Sequence, residues 1–273
     1  MDVRSLGGIA TAIAFPEWSL CIDLGACTPA ALRCDTVAFT HAHADHVSGL
    51  NLYLGVRRLY GMRPPRLIAP AGIAPAMQRL VDVMGELQGR PFESAVEGVS
   101  PGGETSLGHG LFLRPFPVVH QEHSVGYSVV RRVQKLRPEH AGLPGTEIAR
   151  RKAEGAEGLF EEVEEALVAV TGDTQAEGLD LSPSFVRRAR VLVIETTFLD
   201  DVRRDSNAAR IGRHMHLFDL PGVLEGVQAR SLVLYHVSQV YRRDEVEAAI
   251  RGRLPEAWRN RVHVVVPDDG ERL

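Results

Sequence analysis

Residues 41–46, His-Ala-His-Ala-Asp-His, form the densest group of metal-binding side chains in the chain. They follow an apolar run, 36–40, that predicts a strand, and they lead into a pattern over 46–59 that predicts a helix. Imidazole and carboxylate groups are costly to bury without partners, so core packing does not explain three histidines and an aspartate within six residues. The segment therefore predicts a metal site. Nitrogen and oxygen donors without thiolates suit Zn²⁺, with Mn²⁺ or Fe as alternatives.

Three more metal-binding residues stand at the ends of predicted strands farther along the chain. His120, Asp173 and His236 each come just after an apolar run. Four donors on one loop would crowd a single ion, and α/β proteins place their sites at the carboxyl ends of strands. Any one of the three alone could be a helix cap or a satisfied polar group. Together with residues 41–46, they indicate a centre that binds two ions.

Apolar β-type runs alternate with amphipathic stretches along nearly the whole chain, with no repeat or low-complexity linker between them. This alternation predicts one α/β domain over residues 1–273. The predicted strands are 19–24, 36–40, 66–69, 111–119, 126–133, 167–171, 191–195, 231–236 and 262–266. The predicted helices are 46–59, 74–87, 183–189, 216–228 and 243–253.

The chemically distinctive residues form an ordered series over most of the chain. After residues 41–46 come His120-x-x-x-Ser-Val-Gly-Tyr, Gly-Asp-Thr at 172–174, Glu-Thr-Thr at 195–197 and His-Val-Ser at 236–238. This series resembles the metallo-β-lactamase superfamily and, within it, the short form of ribonuclease Z, especially the plant type. The resemblance implies an α/β chain with the metallo-β-lactamase fold, a four-layer αββα sandwich of two sheets between outer helices.

The resemblance also implies how the metal-binding residues divide between two ions. One ion would be held by His41, His43 and His120, the other by Asp45, His46 and His236, and Asp173 would bridge them. Two dications about 3.5–4 Å apart generate a hydroxide nucleophile near neutral pH and clamp phosphate oxygens for in-line attack. Asp45 would in addition orient or deprotonate the attacking water.

Cleavage of an RNA phosphodiester also needs a proton donor, because a ribose alkoxide is a poor leaving group. Glu195 and His214 stand where ribonuclease Z proteins carry a pair for this task. A carboxylate beside an imidazole favours the imidazolium, and a well-placed general acid contributes about 10²–10⁴-fold to the rate. His216 is the alternative acid from the same His-Met-His motif. His214 is preferred because His216 begins an apolar helical pattern.

Recognition of a transfer RNA precursor requires basic surface, since phosphate contacts dominate RNA affinity. The candidate substrate-binding residues are Arg57, Arg58, Arg131, Arg132, Arg150, Arg151 and Lys152. Residues 136–165 hold few large apolar side chains, and the resemblance places a protruding tRNA-binding arm at 136–158, often acting across a homodimer. A solvated helical hairpin without a partner is the alternative. The acidic run 161–165 would repel RNA if it shared a face with the arm.

The composition excludes several other classes of protein. A chain of 273 residues with 44% hydrophobic residues can build its core without disulfides or a structural metal. Its formal net charge of -4 argues against a general basic coat for nucleic acids. Three cysteines within the first 34 residues, without a secretory signal pattern, indicate reduced thiols and a cytoplasmic protein. No apolar run approaches the ~20 residues that cross a bilayer, so no membrane association is expected.

The metal-binding pattern indicates a hydrolase with two divalent ions, and the resemblance to ribonuclease Z implies that it is an endoribonuclease that removes the 3′ trailer from precursor tRNA. The first alternative is a phosphodiesterase for small molecules such as cyclic nucleotides, with the same metal centre but no grip on RNA. A non-catalytic RNA-binding protein with a degenerate centre is a further alternative. It is disfavoured because all seven expected ligands are present.

Overall fold

Two β-sheets lie face to face in the computed structural model, which describes residues 1–155, 157–203 and 206–266. The first sheet holds six strands in chain order: β1 (Asp2–Leu6), β2 (Ala10–Phe15), β3 (Leu20–Leu24), β4 (Thr36–Ala38), β5 (Arg66–Pro70) and β6 (Val96–Val99). The second holds seven, again in chain order: β7 (Thr105–Gly108), β8 (Leu111–Pro117), β9 (Val125–Leu136), β10 (Phe160–Val170), β11 (Val191–Glu195), β12 (Ser231–Tyr235) and β13 (Val262–Val264). Each sheet begins with antiparallel pairs and ends with parallel ones.

Short helices connect the strands and cover the outer faces of the sheets. They are α1 (Pro29–Leu32), α2 (Ala44–Val47), α3 (Leu50–Leu59), α4 (Ala74–Leu87), α5 (Gly145–Ala153), α6 (Glu177–Leu181), α7 (Ser184–Arg187), α8 (Ser206–Gly212), α9 (Leu220–Val223), α10 (Arg243–Arg253) and α11 (Glu256–Arg259). Within the described part of the chain, every helix is too short or too polar to cross a membrane.

Three separate apolar clusters give the molecule its layers. One, which includes Phe39, Tyr53 and Val81, packs α1, α3 and α4 against the first sheet. A second joins inward residues of both sheets, such as Ile22 and Val193. The third packs α7, α9, α10 and α11 against the second sheet. Three interfaces separate four layers, so the predicted αββα sandwich is confirmed.

Several predicted elements differ from the observed ones. The sequence pattern does not predict the hairpin of β1 and β2, because in the run 10–14 three alanines surround only two β-branched residues, Thr11 and Ile13. The predicted helix 46–59 is two helices, since Gly49 separates α2 from α3, and a Cβ there would lie 2.7 Å from the Leu24 carbonyl oxygen. Of the predicted helix 216–228, only Leu220–Val223 is α-helical.

The segment predicted as an arm lies between two long antiparallel strands. β9 and β10 pair from Tyr127 and Val170 outward to Leu136 and Phe160, and the Arg137 N–H continues the ladder to the Leu159 carbonyl. Beyond this ribbon lie a 3₁₀ turn at Pro138–His140 and α5. Of residues 136–158, residue 156 lies outside the described part; none of residues 137–155 is buried.

Candidate metal centre

The expected metal-binding residues meet where strand ends of the two sheets face each other. His41 and His43 follow β4, Asp45 and His46 lie in α2, His120 follows β8, Asp173 follows β10 and His236 follows β12. A parallel arrangement aligns the carboxyl ends of neighbouring strands at one edge, which is why residues far apart in sequence converge there. All seven predicted ligand residues are thus brought together.

One cluster consists of His41, His43, His120 and Asp173, whose ligand atoms lie within 4.8 Å of one another. Nε2 of His41 is 3.0 Å from Nδ1 of His43, which is 3.2 Å from Nε2 of His120. Asp173 Oδ2 is 3.5 Å from Nε2 of His41. In a tetrahedral zinc site with bonds of about 2.0–2.1 Å, ligand atoms are about 3.3–3.4 Å apart. The spacing therefore fits such an ion.

A second cluster adjoins the first and consists of Asp45, His46 and His236. Nε2 of His236 is 3.2 Å from Nε2 of His46 and 3.1 Å from Oδ2 of Asp45. Asp173 also faces this cluster: its Oδ1 is 3.5 Å from Nε2 of His236, and its Oδ2 is 3.4 Å from Nε2 of His46. The Asp173 carboxylate therefore stands between the two clusters, where it could bridge two ions.

On the first-sheet side, buried polar residues hold the outer nitrogens of the imidazoles. Nδ1 of His46 donates to Oδ2 of Asp23 at 2.8 Å. The Thr40 hydroxyl donates to the same oxygen and accepts from Nδ1 of His41, at 2.8 and 2.9 Å. Both histidines consequently turn Nε2 toward the centre, where a bound metal ion could take the place of a proton on that nitrogen. Such partners fix the tautomer and orientation of metal-binding histidines.

The second-sheet side repeats this arrangement. The Thr197 hydroxyl donates to the Glu195 carboxylate and accepts from Nδ1 of His236 at 2.9 Å. Nδ1 of His120 donates to the main-chain carbonyl of Arg213 at 3.0 Å. The sequence prediction did not include Asp23, Thr40 or Thr197. Their only local signal is a polar residue at the end of an apolar strand, as in Ile-Asp-Leu-Gly at 22–25.

Backbone strain is concentrated at this centre. Six non-glycine residues in the described part of the chain have a positive φ angle, and three of them belong to the centre: Asp23 at 57°, His236 at 62° and Arg213 at 55°. L-residues rarely adopt this conformation, and it persists where the surrounding structure enforces it, most often at functional sites.

The buried Asp173 carboxylate is held in its charged form. Burial alone would raise the pKa of Asp173, but the surrounding imidazoles, His236 and His46 first among them, bring the pKa well below its ordinary value. Burial likewise opposes charge on His46, yet Asp173 and Asp23 raise its pKa well above the usual value. Buried negative charge that draws protons onto imidazoles also favours cations. The donor set can therefore hold divalent metal ions.

Glu195 and His214 form a pair beside the two clusters. Nδ1 of His214 is 2.9 Å from Oε1 of Glu195, which also accepts the Thr174 main-chain N–H at 2.7 Å. Burial disfavours the imidazolium, but the charge and hydrogen bond of the Glu195 carboxylate raise the His214 pKa to about 9. At neutral pH the metal-free centre thus carries a protonated His214 that could give up a proton.

His216, the rival acid of the sequence analysis, points elsewhere. It is fully buried, its Nδ1 accepts the Phe218 main-chain N–H at 3.1 Å, and its Nε2 lies 3.5 Å from Asp201. His214, by contrast, lies 3.9 Å from Asp173 through Nδ1. The structure therefore places the first histidine of the motif at the centre and the second in the helix layer.

The prediction that Arg57 binds substrate is wrong, because the residue is buried, with 1% of its surface exposed. Its guanidinium donates to the carbonyl oxygens of Leu32, Cys34 and Arg63 and to the Asp35 carboxylate. Asp35 directly precedes β4, so this network lies at the opposite end of the strand from residues 41–46. Arg58 lies in the same region, where it donates to Gln88 and to the Arg90 carbonyl.

Four of the other predicted RNA-binding residues carry ion pairs. Across the β9–β10 ladder, Arg131 faces Glu165 and Arg132 faces Glu164, with ion-pair distances of 3.1 and 2.7 Å. The acidic run 161–165 therefore neutralises the basic run on the neighbouring strand. On α5, Arg150 and Arg151 pair with Glu147 through 2.8 and 2.7 Å contacts, whereas Lys152 lies over the Phe160 ring at 5.6 Å.

Comparisons with known proteins agree with this geometry. A family model described as a beta-lactamase superfamily domain matches residues 25–237. The chain is 33% identical over 259 residues to tRNase Z TRZ1 of Arabidopsis thaliana, covering 94% of this chain and 91% of that protein. The chloroplastic tRNase Z TRZ2 of the same plant is 30% identical over 90% of this chain and 69% of its own length. The structure of the short form of human tRNase Z has a TM-score of 0.59 at 19% identity, over 98% of this chain and 97% of that chain.

Proposed function

Because this chain belongs to the tRNase Z (ribonuclease Z) family of the β-lactamase superfamily, we propose that it is a metal-dependent endoribonuclease that removes the 3′ trailer from precursor tRNA. The observation that carries the proposal is the Glu195–His214 pair beside two adjoining metal-binding clusters. A hydrolase acting on a substrate with a good leaving group has little need of such a pair, whereas a ribose oxygen leaves only with a proton.

Each cluster would hold one divalent ion: His41, His43 and His120 the first, Asp45, His46 and His236 the second, with Asp173 shared. When bound, two such ions supply an activated water and neutralise the charge of the phosphate. We propose zinc, since the clusters contain imidazole and carboxylate donors at spacings that suit tetrahedral coordination. Metal analysis of the purified protein, with Mn²⁺ and Fe as the other outcomes, tests this assignment.

Two residues near the ions would have separate tasks: Asp45 would orient the attacking water, and His214 would protonate the leaving oxygen. Asp45 accepts the Gly8 main-chain N–H at 2.8 Å through Oδ2, which leaves its other oxygen able to orient the attacking water. His214, kept protonated by Glu195, would donate its proton to the departing ribose 3′ oxygen. The products would be a tRNA ending in a 3′ hydroxyl and a trailer beginning with a 5′ phosphate.

We propose that residues 136–158 contact the tRNA away from the cleavage site. None of residues 137–155 is buried, and α5 carries Arg150, Arg151 and Lys152 in its last turn. The carboxylates of Glu147 and Glu154 hold the two arginines within the helix through exposed pairs, which are weak in water. RNA phosphates could therefore replace these carboxylates as partners.

We also propose that the protein forms a homodimer through α3 and α4. Six large apolar side chains on or next to these helices are exposed: Leu52, Leu59, Tyr60, Leu80, Val83 and Leu87. A hydrogen bond joins Asn51 of α3 to Gln88 directly after α4, so the first turn of α3 meets the end of α4. Exposed apolar side chains on neighbouring helices are typical of interfaces, and homodimer interfaces are the most apolar class. Light scattering should show a dimer for the wild type and a monomer for Leu59→Asp, with Leu181→Asp, another exposed leucine, as the control.

We further propose a cytoplasmic location. The three cysteines, Cys21, Cys27 and Cys34, are free thiols in the structure. Free thiols persist in reducing compartments, where disulfides are rare. Fractionation of the producing cells, with the protein detected by an antibody, tests the location directly.

The proposed activity can be tested with a labelled precursor tRNA that carries a 3′ trailer. Wild-type protein loaded with metal should cut next to the acceptor stem, and Asp45→Ala should not. The matched control is His263→Gln, which changes an exposed histidine of the edge strand β13. If wild type hydrolyses bis-nitrophenyl phosphate but leaves the precursor intact, the chain is a phosphodiesterase without RNA specificity. If it binds RNA but no metal, it is a non-catalytic RNA-binding protein.

A further inference from the structure

Arg213 lies between α8 and His214 and contacts His120 at two points. Its main-chain carbonyl accepts a hydrogen bond from Nδ1 of His120 at 3.0 Å. Its Nη1 donates to the main-chain carbonyl of His120 at 2.5 Å. One residue therefore holds both the ring and the backbone of a predicted metal ligand that is 93 positions away in the sequence.

The carbonyl contact determines which His120 nitrogen can bind metal. A carbonyl oxygen only accepts, so Nδ1 of His120 must carry the proton. Nε2 then presents its lone pair toward Nδ1 of His43 and Oδ2 of Asp173, at 3.2 and 3.8 Å. Because His214 follows Arg213 directly in the chain, the same contact also fixes the position of the proton donor relative to the cluster.

The backbone of Arg213 is strained, with φ at 55°. Glycine adopts this conformation without steric cost, whereas a residue with a Cβ does not. Since the guanidinium contacts His120, the side chain has a defined structural partner that glycine would lack. The strained conformation also aims the carbonyl at the ring, so that backbone and side chain act on the same histidine.

We propose that Arg213 is a positioning residue that locks His120 in the metal-binding tautomer and ties the proton-donor segment to the metal centre. This inference rests on the proposed function, in which His120 binds one of two ions. The Arg213 side chain would support the first cluster alone, because none of the described contacts of Arg213 reaches Asp45, His46 or His236.

The test compares Arg213→Gly with Arg213→Ala. Both remove the guanidinium, but only glycine also removes the strain, and glycine fits the backbone, so Arg213→Gly should fold. We expect Arg213→Gly to retain two zinc ions in the absence of chelator and to release one of them about 10–100-fold more readily than wild type during titration with a competing chelator. The main-chain carbonyl that accepts from the His120 ring remains in this variant, but the His120 backbone loses the guanidinium that anchors it, and loss of a supporting contact around a metal ligand typically costs this range of affinity. Arg210→Ala, which removes a neighbouring exposed arginine of α8, should behave as wild type.

Four outcomes bear on the role of Arg213. Selective loss of one ion by both Arg213 variants, with a lower kcat and an unchanged KM for precursor tRNA, supports the positioning role. Unchanged zinc retention overturns it. A raised KM with unchanged zinc retention also overturns it, in favour of direct contact between the guanidinium and RNA. Normal retention by Arg213→Gly with weakened retention by Arg213→Ala overturns it as well, since strain would then be the cause. A wild type that holds fewer than two ions contradicts the proposed function instead.

Discussion

Nδ1 of His214 lies 2.9 Å from Oε1 of Glu195, a carboxylate that is completely buried. This pairing raises the pKa of His214 from an ordinary 6.5 to about 9 in the metal-free protein, against the opposing effect of burial. A raised pKa in the folded state means that folding takes up a proton. The stabilisation is therefore complete below pH 6.5 and disappears as the pH rises through 9.

The first prediction follows from this pairing. In metal-free protein, His214→Gln should be less stable than wild type at pH 6, and the difference should shrink as the pH rises and vanish above about pH 9.5. Urea unfolding at several pH values measures the difference. His263→Gln serves as the control for loss of an exposed imidazole. A difference that stayed constant with pH would mean that His214 is not charged in the folded protein.

The second prediction concerns catalysis by the same pair. With metal bound, His214→Ala should lower kcat for precursor tRNA by about 10²–10⁴-fold, the usual contribution of a general acid. Hydrolysis of bis-nitrophenyl phosphate should fall much less, because nitrophenolate departs without a proton. Parallel kinetics on both substrates, with zinc content measured for each preparation, checks this. Equal losses on the two substrates would assign His214 to metal or substrate binding instead of proton donation.

The third prediction concerns Asp23, whose carboxylate accepts three hydrogen bonds: from the Thr40 main-chain N–H, the Thr40 hydroxyl and Nδ1 of His46. Through Thr40 it supports His41 of the first cluster, and it supports His46 of the second cluster directly. Asp23→Asn should weaken zinc binding by about 10–100-fold, because an amide cannot accept from all three donors in the same way. Chelator titration gives the affinity. Asp35→Asn is the matched control, since Asp35 lies at the other end of β4. If Asp23→Asn bound zinc as tightly as wild type, the hydrogen bond between His46 and Asp23 would not contribute to zinc binding.

The fourth prediction separates Arg57 from RNA binding. Arg57→Ala should lower the free energy of unfolding by about 3 kcal/mol, because it leaves a buried network of carbonyl and carboxylate groups without their donor. The dissociation constant for precursor tRNA should remain that of wild type. Urea unfolding and a filter-binding assay measure the two quantities, and Arg58→Ala provides the comparison for a half-buried neighbour. Weaker RNA binding by a stably folded Arg57→Ala would contradict this assignment.

The fifth prediction concerns the arm, residues 136–158. Replacement of Arg150, Arg151 and Lys152 by alanine should weaken binding of precursor tRNA. It should also reduce the dependence of log Kd on log salt by about 0.7–0.9 for each phosphate that the variant no longer neutralises. Hydrolysis of bis-nitrophenyl phosphate should not change, because the arm lies at the far end of the β9–β10 ribbon from His120 and Asp173. A triple variant with unaltered tRNA affinity and salt dependence would exclude these side chains from RNA binding.

The ligand residues could be predicted because their signals are local. Three histidines and an aspartate in one turn, or a histidine directly after an apolar strand, are visible in a single sequence. Thr40 and Thr197 could not be identified in this way, since the importance of each arises only when its hydroxyl meets a partner from another strand: the Asp23 carboxylate for Thr40 and the His236 imidazole for Thr197. Such convergence depends on how the two sheets pack, and the sequence pattern does not specify it.

Arg57 is buried although its charge favours the surface, and the helical spacing of its neighbours does predict this burial. Leu50, Tyr53, Leu54 and Arg57 have the spacing i, i+3, i+4, i+7 of one helix face, and all four are buried in α3. Position in the helical period, and not the positive charge, therefore decides where this side chain lies. In the β9–β10 ribbon too, charge alone does not show the role of a side chain. The basic run of β9 and the acidic run of β10 pair with each other across the ladder.

The centre draws its residues from positions 23 to 236, and the last of them follows β12, the penultimate strand in the described part of the chain. During synthesis, His236 can therefore join Asp45 and His46 only after the ribosome has released the chain through β12. A nascent polypeptide that ends before His236 lacks one of the seven expected ligands and holds an incomplete second cluster. The metal centre is therefore completed only late in the assembly of the second sheet.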